Sequence, residues 1–200
     1  MNPFKLTVVA GFACLFAASF AAAQAPQTVR VRATIESVDG AMLTAKSRDG
    51  TEMKIKLADN APVNEVVKAA LSDIKQGSYL AITATPQPDG SQRATAILIF
   101  PPAVHPPEGF SNWDLPHSTM TNATVADQVT STDGETLTVK YKDGEKKIVV
   151  PPSAEIVTIK KATLADLKPG QKIFIFAAKK LDDGTLAAPN VSFGDYGVWR

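Results

Sequence analysis

The chain has 200 residues, is 44% hydrophobic and 20% charged, and sets 21 Lys and Arg against 20 Asp and Glu. That near-neutral balance argues against nucleic acid as a partner, because neutralising phosphates requires a surplus of basic surface. Its one cysteine, Cys14, stands in an apolar N-terminal stretch, so an exported, processed chain would hold no disulfide, no thiolate nucleophile and no cysteine-ligated zinc.

Residues 1–23 have the three parts of a secretory signal peptide. Lys5 is the positive region, Leu6 to Phe20 is apolar and uncharged, and Ala21-Ala22-Ala23 is a small-residue cleavage pattern before Gln24. The apolar run is about 15 residues, whereas a spanning helix needs roughly 20. Cleavage and delivery to the periplasm or the medium are therefore expected, with no membrane span afterwards. Lipid attachment at Cys14 is the competing outcome. It usually has Leu three residues before the cysteine, where Gly11 stands here. Cleavage removes Lys5 and no acid, leaving 20 basic and 20 acidic residues and zero formal charge.

After the leader, the turn signals repeat. Asp-Gly pairs occur at residues 39, 49 and 89 and again at 133, 143 and 183, each displaced by 94. Asp-Gly between alternating runs is the strongest short hairpin signal. Ser37, Leu43, Thr44 and Lys46 match Ser131, Leu137, Thr138 and Lys140, and, after a one-residue adjustment, Leu71-Ser-Asp-Ile-Lys-Gln-Gly77 matches Leu164-Ala-Asp-Leu-Lys-Pro-Gly170. A tandem duplication is expected, with repeat 1 in residues 24–100, a linker in 101–121 and repeat 2 in 122–200.

In chain order, alternation at Val29, Val31, Ala33 and Ile35 predicts a strand; Leu43 with Ala45, and then Met53, Ile55 and Leu57, predict two more. Val63, Val66, Val67, Ala70, Leu71 and Ile74 fall at helical spacings, and Gly77 follows as a C-terminal stop. Two further strands, Tyr79 to Thr85 and Ala94 to Phe100, complete the unit. The second copy reads in the same order. The order β-β-β-α-β-β is that of an OB-type barrel, so the expected class is all-β: tandem OB-like five-stranded barrels with one short helix per repeat. The linker between them holds five prolines, which favour a stiff extended connection.

With the leader, the Asp-Gly hairpins, the Leu-x-Asp-Leu/Ile-Lys-x-Gly segments and Asn122-Ala-Thr-Val in view, the chain resembles uncharacterised secreted proteins of Gram-negative bacteria built from OB-like domains of unknown function. The resemblance covers the whole processed chain. It implies a fold and a compartment, and contributes no catalytic residue.

Chemistry is sparse. The two histidines, His105 and His117, both lie in the linker, and no Gly-x-Ser-x-Gly elbow or phosphate-binding glycine loop occurs. No enzyme activity and no cofactor are expected. His105 and His117 are the metal-ligand candidates, with Glu108, Asp114 and Met120 nearby. Their spacing matches no recognised ligand pattern, and solvated linker side chains are the alternative. Tyr141, Phe174 and Phe176 are the ligand-binding candidates: they replace Ser47, Ala81 and Thr83 of the first copy, and aromatic side chains dominate binding hot spots. Packing against the other barrel or the linker is their alternative role. The expected function is an exported non-catalytic binding or interaction module, with an envelope protein, a polysaccharide or a small ligand as partner. A periplasmic metal-handling accessory is the alternative.

Overall fold

The computed structural model describes residues 28–113, 115–131 and 134–194. The expected leader with Cys14, and also Asp114, Asp133, Tyr196 and Trp199, lie outside them. The described chain is all-β. The strands are β1 (Thr28–Asp39), β2 (Met42–Ser47), β3 (Glu52–Leu57), β4 (Val63–Lys68), β5 (Tyr79–Pro86), β6 (Gln92–Ile99) and β7 (Gly109–Asn112). They continue as β8 (Thr119–Ser131), β9 (Gly134–Tyr141), β10 (Gly144–Val150), β11 (Glu155–Ala162), β12 (Lys172–Lys180), β13 (Leu186–Ala188) and β14 (Val191–Phe193).

Two rings of five strands close. One runs β1-β2-β3-β13-β12 and returns to β1; the other runs β6-β10-β9-β8-β5 and returns to β6. Here the structure departs from the sequence reading, which gave each repeat its own barrel. The first barrel takes β1–β3 from residues 24–100 but β12 and β13 from residues 122–200, and the second barrel takes the complementary strands. Alternation still sets the inside of each wall. Val31, Ala33, Ile35, Leu43, Ile55, Ile173 and Ile175 fill one core, while Leu80, Ile82, Ile97, Val125, Leu137, Val139 and Ile148 fill the other.

The expected helix is the second correction. Residues Val63–Lys68 form β4, and only Leu71–Asp73 turns helically, as a single 3-10 turn; Leu164–Asp166 does the same. The spacing misled because β4 has apolar contacts on both faces. Val63 packs in the first core and Val66 in a small cluster with Val157. A strand with two apolar faces loses its period-two signature, while three β-branched valines in six residues favour extended backbone.

β4 and β11 run antiparallel, side by side, and carry the crossings between barrels. Going up β4, Val63 belongs to the first core and Ile74 to the second; going along β11, Ile156 belongs to the second and Leu167 to the first. Six extended residues at about 3.3 Å each span roughly 20 Å, enough to pass from one barrel to the next. Each 3-10 turn then plugs the barrel it reaches. Gly77 N–H donates to the Val125 carbonyl at 2.9 Å, and Gly170 N–H donates to the Ile35 carbonyl at 2.8 Å.

The Asp-Gly turns explain their sequence. In the hairpins at 49, 89 and 183 the glycine has φ between 84° and 87° and closes a three-residue loop, the type I plus left-handed arrangement. The preceding aspartate accepts the backbone N–H of Thr51, Ser91 or Thr185 at 3.0, 3.0 and 2.9 Å.

Candidate functional site

The linker is a strap and not a free tether. The Tyr79 hydroxyl donates to the Pro106 carbonyl at 2.6 Å, Asn122 Nδ2 donates to the Pro107 carbonyl at 3.2 Å, and β7 pairs with β8. The strap then reaches the first barrel through Trp113. Its indole stacks on Phe176 with ring centroids 6.4 Å apart and 20° between planes. The Arg30 guanidinium carbon lies 4.1 Å from the Trp113 ring centre and 5.2 Å from that of Phe176.

Beyond Trp113 the strap turns over the outer face of the second barrel and encloses one side of an open groove of about 430 Å³. Its floor is the outward face of β5 and β6, with Thr83, Thr85, Thr95 and Ala96; Ser153, Glu155 at the start of β11, and Trp113, Leu115, Pro116 and Ser118 of the strap complete the lining. Glu155 is the only charged lining residue described. Thr83 is 5% exposed, and its hydroxyl has no hydrogen-bond partner among the described residues. An unpaired buried hydroxyl of this kind costs about 1–3 kcal/mol. The turn carrying the strap has Pro116 and then His117 at φ 56°, closed by the Ser118 N–H on the Leu115 carbonyl at 3.2 Å. Pro followed by positive φ is the type II pattern, which favours Gly at the second central position.

The groove has a structural cause. Ile173 and Ile175 face the first core, so Phe174 and Phe176 stand on the outside of β12. On β5 the corresponding positions are Ala81 and Thr83. Where one barrel carries two rings on its outer face, the other carries two small side chains and leaves space beneath the strap.

The three aromatic candidates do not assemble. Phe174 packs on Val66 and Val157 at the crossing of β4 and β11, with the Arg32 guanidinium carbon 5.0 Å from its ring centre. Phe176, 54% exposed, meets Trp113. Tyr141 lies in the other barrel, stacked on Phe110 of the strap at 6.5 Å. Tyr141 and Phe176 thus meet the linker strap and Phe174 meets the crossing strands, and Phe176 alone of the three keeps more than a third of its surface open. His105 and His117 are likewise apart in role: both are exposed, His105 lying on the Tyr79 ring at 4.7 Å and His117 occupying the left-handed turn position. Among the described residues no three His, Cys, Asp or Glu side chains come together as a metal group, and no helix is long and apolar enough to cross a membrane.

Sequence reasoning missed Thr83, Thr95, Ser153 and Glu155. The signal lay in the matched segments: Thr83 stands in the sequence where Phe176 stands in the other segment, and a small hydroxyl in place of a ring marks empty space, just as the ring marks added surface. Compared with family models, curated proteins and solved structures, the chain matches none.

Proposed function

We propose that this chain is an exported, non-catalytic binding module, a tandem duplication whose two OB-like barrels exchange strands, and that its ligand lies in the groove beneath Trp113. The observation that carries the reading is the fixed indole at the groove's edge. Trp113 is held by Phe176 and Arg30 of one barrel while it lines a hydroxyl-rich cleft on the other. Binding sites combine such rigid apolar surface with a few convergent polar groups. Export rests on the leader in residues 1–23, and duplication on the Asp-Gly spacing and the matched 3-10 turns. The pairing of β4 with β11 adds to the second point, because Val66 opposes Ile159, the residue it matches at the offset of 93 that aligns Leu71 with Leu164.

A photo-crosslinking residue at Thr95, an exposed groove position, tests the reading in cells. The processed chain should begin at Gln24 in mass spectrometry, and Thr95 should give an envelope adduct that the same probe at exposed Lys46 does not. Equal adducts from both positions, or none from Thr95, would refute the site.

A further inference from the structure

The groove's chemistry narrows its ligand, given that it is the binding site. Five of its lining residues carry hydroxyl groups, one carries a carboxylate and one an indole, and none of those described is cationic. A hydroxyl both donates and accepts, so a row of them suits a partner whose own groups do both. A carboxylate accepts only and is satisfied by adjacent donors such as those of a vicinal diol. Glu155 is the one charged side chain in the described lining and disfavours anions, the nearby Arg30 guanidinium being engaged on the Trp113 and Phe176 rings, and a cation would be met by a single carboxylate without further support. An indole in the wall offers a flat apolar face with a polar handle, which is what the C–H face of a pyranose ring stacks upon.

From these features we propose that the groove takes an uncharged polyhydroxylated chain, a stretch of neutral oligosaccharide, with its sugar faces on Trp113 and its hydroxyls on Thr85, Ser153 and Glu155. Thr83 forms the floor. Its Oγ1 is shielded from solvent, so its part is to keep the floor low, and a larger side chain there closes the groove from below.

Titration of the processed full chain with maltohexaose, cellohexaose and chitohexaose, followed by tryptophan emission and calorimetry, tests the proposal, with polygalacturonate as the anionic comparison. At least one neutral hexasaccharide should bind saturably and perturb the emission, and polygalacturonate should bind at least tenfold more weakly. Glu155→Gln should weaken the neutral ligand about tenfold. Thr83→Phe, which places in β5 the ring that β12 already carries, should abolish binding, and Thr95→Tyr supplies an exposed blocking variant should Thr83→Phe fail to fold. Preference for the polyanion, or undiminished affinity in folded Glu155→Gln and Thr95→Tyr, overturns the proposal. Failure of all three neutral sugars overturns it too. In that case the Thr95 adducts separate the causes: if they persist, the site stands with another ligand chemistry, and if they are absent, the site itself is wrong.

Discussion

Exchange of strands between the barrels makes a quantitative prediction about which core residues feel one another. Val31 on β1 lies directly across from Ile175 on β12, and they are 3% and 0% exposed. In a barrel built from residues 24–100 alone, the residue opposite Val31 would be Ile82, which stands where Ile175 does when the chain is aligned with itself at the offset of 93 that matches Leu71 with Leu164. In the structure Ile82 is 0% exposed in the other core. Val31→Ala removes two buried methyls, about 1.6 kcal/mol by transfer at ~0.8 each, and about 2 kcal/mol once the cavity is counted. Ile175→Val and Ile82→Val should each cost about 1 kcal/mol. Cross-strand neighbours stand about 5 Å apart, so the cavities left at 31 and 175 merge. The double variant should then fall short of the sum by about 0.5–1 kcal/mol, while Val31→Ala with Ile82→Val adds to within roughly 0.3–0.5 kcal/mol. Urea unfolding followed by far-UV circular dichroism gives each corner of both cycles. Coupling of 31 to 82, with none to 175, would show that each repeat forms its own barrel and that the exchange is wrong.

Three further outcomes test separate features. His117→Gly relieves a left-handed position and should stabilise by about 0.5–1 kcal/mol, the αL relief of ~1–2 less the added chain entropy; paired with His105→Ala it should also leave melting indifferent to zinc, and a zinc-dependent rise in Tm that the pair abolishes would reinstate the metal reading. Hydrogen bonds from Ser47, Ser91 and Thr185 hold the carboxyls of Asp49, Asp89 and Asp183 below their ordinary value of 3.8. Their stabilisation is therefore present above that value and lost as pH falls through the lower folded values, so Asp49→Asn, Asp89→Asn and Asp183→Asn together should flatten the acid limb of a stability–pH curve below about 4, and an unchanged limb would count against the turn bonds. Gly194→Ala would put a Cβ 2.7 Å from the Val66 carbonyl at φ 151°; thermal melting should show a loss of about 1–3 kcal/mol, and a neutral result would mean that the β14–β4 approach is looser than described.

What could be read from the sequence was whatever one strand or one turn determines locally. Val31, Ala33, Ile35, Leu43 and Ile55 announced their buried face by alternation, and the Asp-Gly pairs announced hairpins, because both signals depend only on near neighbours. β4 was not legible as a strand, since its valines serve two different clusters and lie at spacings that also suit a helix. The groove was hidden for another reason. Its walls come from β5, β6, the start of β11 and the strap, and only tertiary packing brings Thr83, Trp113 and Glu155 to one place. Phe176 was visible as an unshared ring, but its contact with Trp113 crosses from the first barrel to the strap of the second.

Which strands close which barrel was beyond local signals as well, and the reason lies in the likeness of residues 24–100 to residues 122–200. Residues 24–100 and 122–200 carry the same Asp-Gly hairpins and the same 3-10 turn, so β1–β3 could be closed by the last strands of either stretch, and local pattern along the barrel wall does not distinguish the arrangements. The decision falls to the segments that differ in path between them, residues 58–74 and 151–167. For a barrel to close within one repeat, each segment must turn back along its own barrel. As strands, β4 and β11 instead run straight and pair with one another from Val63 to Lys68 and from Val157 to Ala162. The pairing gives backbone partners to two strands that would otherwise each offer a free edge, and it covers Val66 and Val157 to 3% and 0% exposure. Val66 stands opposite Ile159, and equally spaced partners follow on both sides, Glu65 with Lys160 and Val67 with Thr158. This pairing is satisfied only when both segments cross, because neither strand has its partner if one of them folds back. Reciprocal exchange is thus an all-or-none choice, favoured by the β-branched residues of β4 and β11, and it fixes the two barrels side by side so that Trp113 reaches Phe176 while still lining the groove.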